Sequence, residues 1–269
     1  MVYKSPIQAV WPDVKFLQGL SRLMRFFHTE PIFEFKEEGM NLLTMDASHV
    51  SMMDLKLPKE YFKVYKLLDG PVKVAFNPQD FYRSLITAKS SKNAIGEARM
   101  SLGRFGESVE LWLTRPGYPT KKRSIPQWKD GGTEIPTPKI FFKSKLRCDL
   151  SDIYDMLLDL KSMNSQQFRI KANASRWEFS SIKDKRFDKI YSTTEFHKDD
   201  DWVLDCKIEP NDKEHEAAYT LEFIINLLTP FRGFADIVAL EMSSNMPIKI
   251  DVEIPQGTLA FYVAPCIGV

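Results

Sequence analysis

Apolar positions recur at helical spacing from Asp13 to Phe27, where Phe16, Leu17, Leu20, Met24 and Phe27 form one stripe. Lys15, Gln18, Arg22 and Arg25 fall together on the opposite face of the helix this predicts. IFEFKEEGMNLLTM then alternates around Gly39 and predicts strand–turn–strand. Pro78–Lys89 predicts a second helix, with Pro78 suited to a first turn. Phe81 and Leu85 face inward there, while Arg83 and Lys89 face out. ARMSLGRFGESVELWLT supplies further strands.

The second half repeats the order. Asp149–Met163 reads as a helix, FRIKANASRWEFSS as strand–turn–strand and Ala217–Thr229 as another helix. The closing strands lie in IVALEMSSNMPIKIDVEIPQGTLAFYVAP. Helix starts at Asp13 and Asp149, and at Pro78 and Ala217, have nearly equal offsets. Such offsets point to an internal duplication. Between the halves, KDGGTEIPTPK carries two glycines and two prolines and reads as a linker. The predicted organisation is a domain over 1–128, a linker over 129–138 and a second domain over 139–269. Strand-rich halves with two helices each predict an α+β fold, its helices on one face of each sheet.

Composition adds exclusions. Apolar residues make up 43% of the 269, an ordinary globular balance, and no apolar run spans a bilayer. MVYKSPIQAV has no apolar core with a small-residue cleavage site, so no secretory signal is expected. Cys148, Cys206 and Cys266 lack CxxC spacing, which points to reduced intracellular thiols. A net charge of +1 permits a local basic face without an overall basic surface. No HxxxH pair, GxxxxGK[ST] or GxGxxG occurs, and no nucleophile–base pairing stands out. The acids of HKDDD (197–201) are adjacent rather than at ligand spacing, so a solvated loop is expected there, with no metal site and no cofactor.

LLTMDASHVSMMDLKL (42–57) closely resembles the LxxMDxSHVxLxxLxL segment of sliding clamps of the proliferating cell nuclear antigen (PCNA) family. VALEMSSNMPIKIDVEI and LAFYVAPCI, within 238–267, resemble the endings of archaeal members. The resemblance implies two similar clamp domains, with sheets outside and helices lining the hole of a ring. It implies a non-catalytic processivity factor without cofactors, encircling duplex DNA inside the cell and leaving any ATP hydrolysis to a separate loader. Lys15, Arg22, Arg25, Arg83 and Lys89 would then face DNA.

The same resemblance assigns Met45, His49, Val50, Ile135, Pro136, Pro247, Tyr262, Ala264 and Pro265 to a surface for short partner motifs. DNA polymerase, clamp loader, flap endonuclease and DNA ligase would dock there. Thr133 and Cys266 depart from the usual residues. Subunits would pair edge to edge through Lys121, Lys122, Arg123 and Ile125 on one side and Asp188, Ile190, Ser192 and Thr194 on the other. Pro126 removes a donor from the first edge. The ring would be a homotrimer, or a heterotrimer with related subunits. The third and fourth helices lack the basic row, so the second domain is expected to attract phosphates poorly. That imbalance keeps open a specialised subunit of a heterotrimeric ring, acting as a scaffold or as a checkpoint or transcription factor. A nucleic-acid enzyme is a third reading, without catalytic spacing to carry it.

Overall fold

The computed structural model describes residues 5–27, 31–85, 96–103, 106–128, 135–136, 138–182, 192–208 and 214–267. Two compact units emerge: Met1–Pro136 with Pro255–Thr258, and Thr137–Ile254 with Leu259–Val269.

The first unit runs β1 (Ile7–Trp11), α1 (Val14–Phe27), β2 (Ile32–Lys36), β3 (Gly39–Met45), β4 (Ser51–Pro58), β5 (Val64–Leu67), β6 (Val72–Ala75), α2 (Pro78–Leu85), β7 (Glu97–Leu102), β8 (Ser108–Arg115) and β9 (Tyr118–Pro126). β5-β1-β7-β8-β9 form an antiparallel sheet, and β4-β3-β2-β6 follow one another in a second ladder. α1 buries Phe16, Leu17, Leu20, Leu23, Met24 and Phe27, the face its periodicity predicts. β2 alternates half-buried and buried positions, as a strand with one covered face does. Phe33, Phe76 and Phe81 pack together at the centre, with ring centroids 4.5 to 5.8 Å apart. Gly39 has φ of +149°, and a Cβ there would lie 2.1 Å from the Leu57 carbonyl oxygen. Only glycine permits that turn.

The second unit runs β10 (Ser144–Asp149), α3 (Leu150–Ser162), β11 (Gln167–Ala172), β12 (Arg176–Ser181), β13 (Thr193–His197), β14 (Val203–Ile208), β15 (His215–Thr220), α4 (Leu221–Leu228), β16 (Ile237–Met242), β17 (Ile248–Val252) and β18 (Thr258–Val263). β13-β12-β11-β15 form one sheet and β14-β10-β16-β17-β18 a second ladder. Trp177, Phe168, Phe179 and Tyr219 fill the core beneath the first.

One element departs from the sequence pattern. The helix expected over Ala217–Thr229 begins only at Leu221, because Ala217, Ala218 and Tyr219 pair with Ile170, Arg169 and Phe168 as part of β15. Alanines favour helix locally, yet ladder pairing overrides that preference. Pro126 is the last residue of β9, opposite Ser108, so it ends the strand rather than interrupting it.

Candidate functional site

Side-chain contacts join the two helices of the first unit. Gln18 Nε2 donates to the Leu85 carbonyl at 3.0 Å. Arg25 stacks over the Tyr82 ring, 4.1 Å from its centroid. Since Gln18 meets Leu85 while Arg25 meets Tyr82, α1 and α2 run antiparallel. Lys15 and Arg22 are exposed, and Arg25 is half-buried. Arg83 is exposed and lies 3.7 Å from Asp80, a pair that water screens. Lys15, Arg22, Arg25 and Arg83 are thus displayed on one pair of packed helices; Lys89 lies outside the described residues.

The corresponding pair in the second unit carries the opposite charge. α3 exposes Asp155 and Asp159 and half-exposes Asp152, while α4 exposes Glu222. Arg232 sits over the Tyr154 ring at 4.5 Å and reaches Asp155 at 3.7 Å. Burial, then the nearby charges of Asp149 and Asp155, push the Asp152 carboxyl above its ordinary range.

The polar corner after β3 is built on one carboxylate. Asp46 is buried and accepts from the Ser48 and Ser51 amides and from both hydroxyls. Burial alone would raise its carboxyl, but these bonds together hold it below the ordinary value. The Asp46 carbonyl also accepts from the His49 amide at 2.9 Å, and His49 has φ of +59°. This geometry turns His49 to solvent between half-buried Met45 and Val50. Ile135 is half-buried and Pro136 exposed, whereas Thr133 lies outside the described residues.

In the second unit a cleft of about 520 Å³ is lined by Ala217, Ala218, Asn245, Pro265, Cys266 and neighbours. The Cys266 amide donates to Ala218 at 2.8 Å, and buried Tyr219 donates its hydroxyl to the Met246 carbonyl at 2.9 Å. These bonds tie the chain end and the loop before Pro247 to β15. Ala217 and Ala218 were hidden in the sequence by their assignment to a helix. Pro247, Ala264 and half-buried Tyr262, paired with Lys249 across β17 and β18, lie in the same unit.

β9 and β13 are the edges of their sheets. Lys121, Lys122 and Arg123 are exposed on β9, but Ile125 is fully buried in its own unit. Ile125 can therefore offer a neighbour only its backbone. Ser192 and half-buried Thr194 lie at the start of β13, while Asp188 and Ile190 lie outside the described residues. In HKDDD, Asp200 accepts from the His197 amide at 2.7 Å and closes a turn. Among the described residues, no cluster of His, Cys, Asp and Glu is arranged to hold a metal. No helix among them is long and apolar enough to cross a membrane.

Residues 15–93 match the family model for the N-terminal domain of proliferating cell nuclear antigen. A DNA polymerase sliding clamp of Thermofilum pendens is 25% identical over 261 residues, covering 96% of this chain and 98% of that protein. One from Cenarchaeum symbiosum is 26% identical over 237 residues, 88% of each. Among solved structures, PCNA from Thermococcus kodakaraensis superposes with a TM-score of 0.84 at 18% identity, covering 97% of this chain and 100% of that one. The PCNA2–PCNA3 complex of Sulfolobus tokodaii gives 0.82 at 20% identity, covering 96% of this chain and 98% of that one. These likenesses fix the fold as the two-domain α+β clamp.

Proposed function

We propose that the chain is an archaeal-type sliding clamp of the PCNA family, working as a DNA polymerase processivity factor that encircles duplex DNA in a trimeric ring. The carrying observation is the α1–α2 face, which displays Lys15, Arg22, Arg25 and Arg83 together. Cations so displayed attract phosphates without reading bases. A ring holds DNA topologically, so weak and screened contacts suffice and leave the duplex free to slide. The chain breaks no bond and takes no cofactor in this reading, and it works inside the cell. Residues 1–128 and 139–269 act as the two clamp domains, and 129–138 connects them. The deciding experiment is primer extension on circular template with polymerase and loader. Longer products only in the presence of this chain support the reading, and unchanged lengths refute it.

Partner motifs of polymerase, loader, flap endonuclease and ligase are assigned to Met45, His49 and Val50, to Ile135 and Pro136, and to Pro247, Tyr262, Ala264 and Pro265. Half-buried Met45, Val50, Ile135, Pro247, Tyr262, Ala264 and Pro265, with exposed His49 and Pro136, suit a short hydrophobic plug with a polar edge. Ile135→Asp should weaken a motif peptide by about 2 kcal/mol, read by calorimetric titration. An unchanged affinity removes Ile135 from the surface.

Subunits join through β9 and the segment ending in β13, as homotrimer or as heterotrimer with related chains. A specialised subunit of a mixed ring is the second reading. The acidic α3–α4 face favours it, because partner subunits would then supply the missing cations.

A further inference from the structure

We propose that a cleft between β10, β14 and the turn joining β11 to β12 binds an acidic segment of a partner protein, gripped by Lys198 and Lys207 and anchored on Phe141. The site shares no residue with the α1–α2 face or with the partner-motif surface.

The cleft measures about 660 Å³ and lies wholly within the second unit. Four lysines line it, Lys143, Lys145, Lys198 and Lys207, against a single carboxylate, Glu241. Register sorts these charges. Lys207 stands opposite Lys145 and Lys145 opposite Glu241, so all three share one face of the ladder. Glu241 lies 3.1 Å from Lys145 and 3.4 Å from Lys249, so Lys145 is already engaged within its unit. Lys207 is exposed, and water screens its pair with Asp205 at 2.8 Å. Lys198 stands on the other side of the edge. Burial pushes the Cys206 thiol up and the Lys198 charge opposes that rise, which places the ammonium on the covered side where Cys206 points.

Backbone bonds fix both walls. The Lys198 amide donates to the Ser175 carbonyl at 2.8 Å. Asn173 Oδ1 accepts from the Ser175 and Arg176 amides, each at 3.0 Å, and holds the β11–β12 turn. On the opposite wall, the Lys143 amide donates to the Ser243 hydroxyl at 3.0 Å. Phe141 lies on this tethered segment, yet it is 73% exposed. With half-buried Ile140, Phe142 and Ile208 it makes an apolar patch rimmed by cations, the pattern of a binding surface.

The lysines call for an anion, and the rest of the cleft selects a peptide. Among the described residues β14 pairs only with β10, so backbone groups along its outer edge are open. A peptide strand can pair with them and a nucleic acid cannot. Side chains of a strand alternate between its faces, so carboxylates of a segment along β14 meet Lys207 on one face and Lys198 on the other. No arginine is among the described lining residues, so the cleft lacks the planar fork that suits phosphate. An apolar side chain of the segment completes the fit against Phe141.

The test is fluorescence anisotropy of a labelled peptide of glutamates and aspartates with one phenylalanine, titrated with the full-length chain. Saturable binding that weakens with added salt is expected. Lys198→Glu with Lys207→Glu should weaken it about tenfold or more, and Phe141→Ala by less. Arg22→Glu with Arg25→Glu should leave it unchanged, since those cations lie on α1. Circular dichroism melts verify that these substitutions leave the fold intact. A parent that does not bind the peptide overturns the proposal, as does binding that ignores the two lysines or falls equally with the α1 pair. Tripolyphosphate or a single-stranded oligonucleotide binding in the peptide's stead, with the same lysine dependence, overturns the peptide assignment.

Discussion

The α1–α2 pair and the α3–α4 pair do the same structural work with opposite electrostatics. Each packs an apolar stripe on its unit, Phe16, Leu20 and Met24 in one case and Ile153, Leu157 and Leu160 in the other. The solvent sides differ in balance: three arginines and Lys15 against Asp80 on the first, three aspartates and Glu222 against Lys161 on the second. Packing constrains only the buried stripe, so the outward residues are free to specify what each face meets. The first face suits phosphates. The second repels them.

The sharpest way to break this contrast is to erase the first face. Arg22→Ala, Arg25→Ala and Arg83→Ala together should shallow the dependence of log DNA affinity on log salt by about 2–3, with polymerase stimulation falling in step. A triple variant that loads and stimulates like the parent across salt would remove these residues from the DNA path. The converse substitution should matter less. Glu222→Lys adds one cation to the second face, and its expected gain is a slope steeper by about 0.9 at most. No change in slope would mean that α4 lies away from DNA.

Acid stability offers a third comparison, again with opposite signs. Asp46 titrates below its ordinary range when folded, so its contribution is full at neutral pH and is lost as pH falls through that depressed value. Asp152 titrates above its ordinary range, so it costs stability at neutral pH, and that cost vanishes as pH falls through the raised value. Asp46→Ala should therefore destabilise the fold by about 2 kcal/mol near pH 7, since it strands buried donors. Asp152→Asn should raise the melting temperature slightly near pH 7 and leave it unchanged in acid. Parallel melts of the two variants at several pH values check both; a shift of the same sign in both would refute the assignment.

Much of this was legible in the chain. The long stripes of α1 and α3 are unambiguous because ten or more residues keep one period. The cations of α1 followed from the same count. α4 was not legible in its bounds, because Ala217–Leu228 is apolar nearly all round, broken only by Thr220, Glu222 and Asn226, too few polar positions to mark where strand gives way to helix. The α3 aspartates were visible as charges, but the cleft they line was not. It depends on β13 and Trp202 coming alongside α3, a tertiary juxtaposition that no local pattern encodes. Likewise, Ile125 reads as an edge residue until the register turns it inward.

Arg25 differs from its neighbours in one respect that bears on motion. Held 4.1 Å over Tyr82, its guanidinium keeps its place before any duplex arrives. A long, unanchored arm follows a passing phosphate and must be dragged or released at each step. A fixed cation makes only a brief, shallow contact as the backbone moves past, and surrenders little side-chain freedom in doing so. Within the clamp reading, Arg25 acts less as a hand than as a bearing surface. Friction along the duplex is then set by the exposed Lys15 and Arg22, the arms still free to follow it.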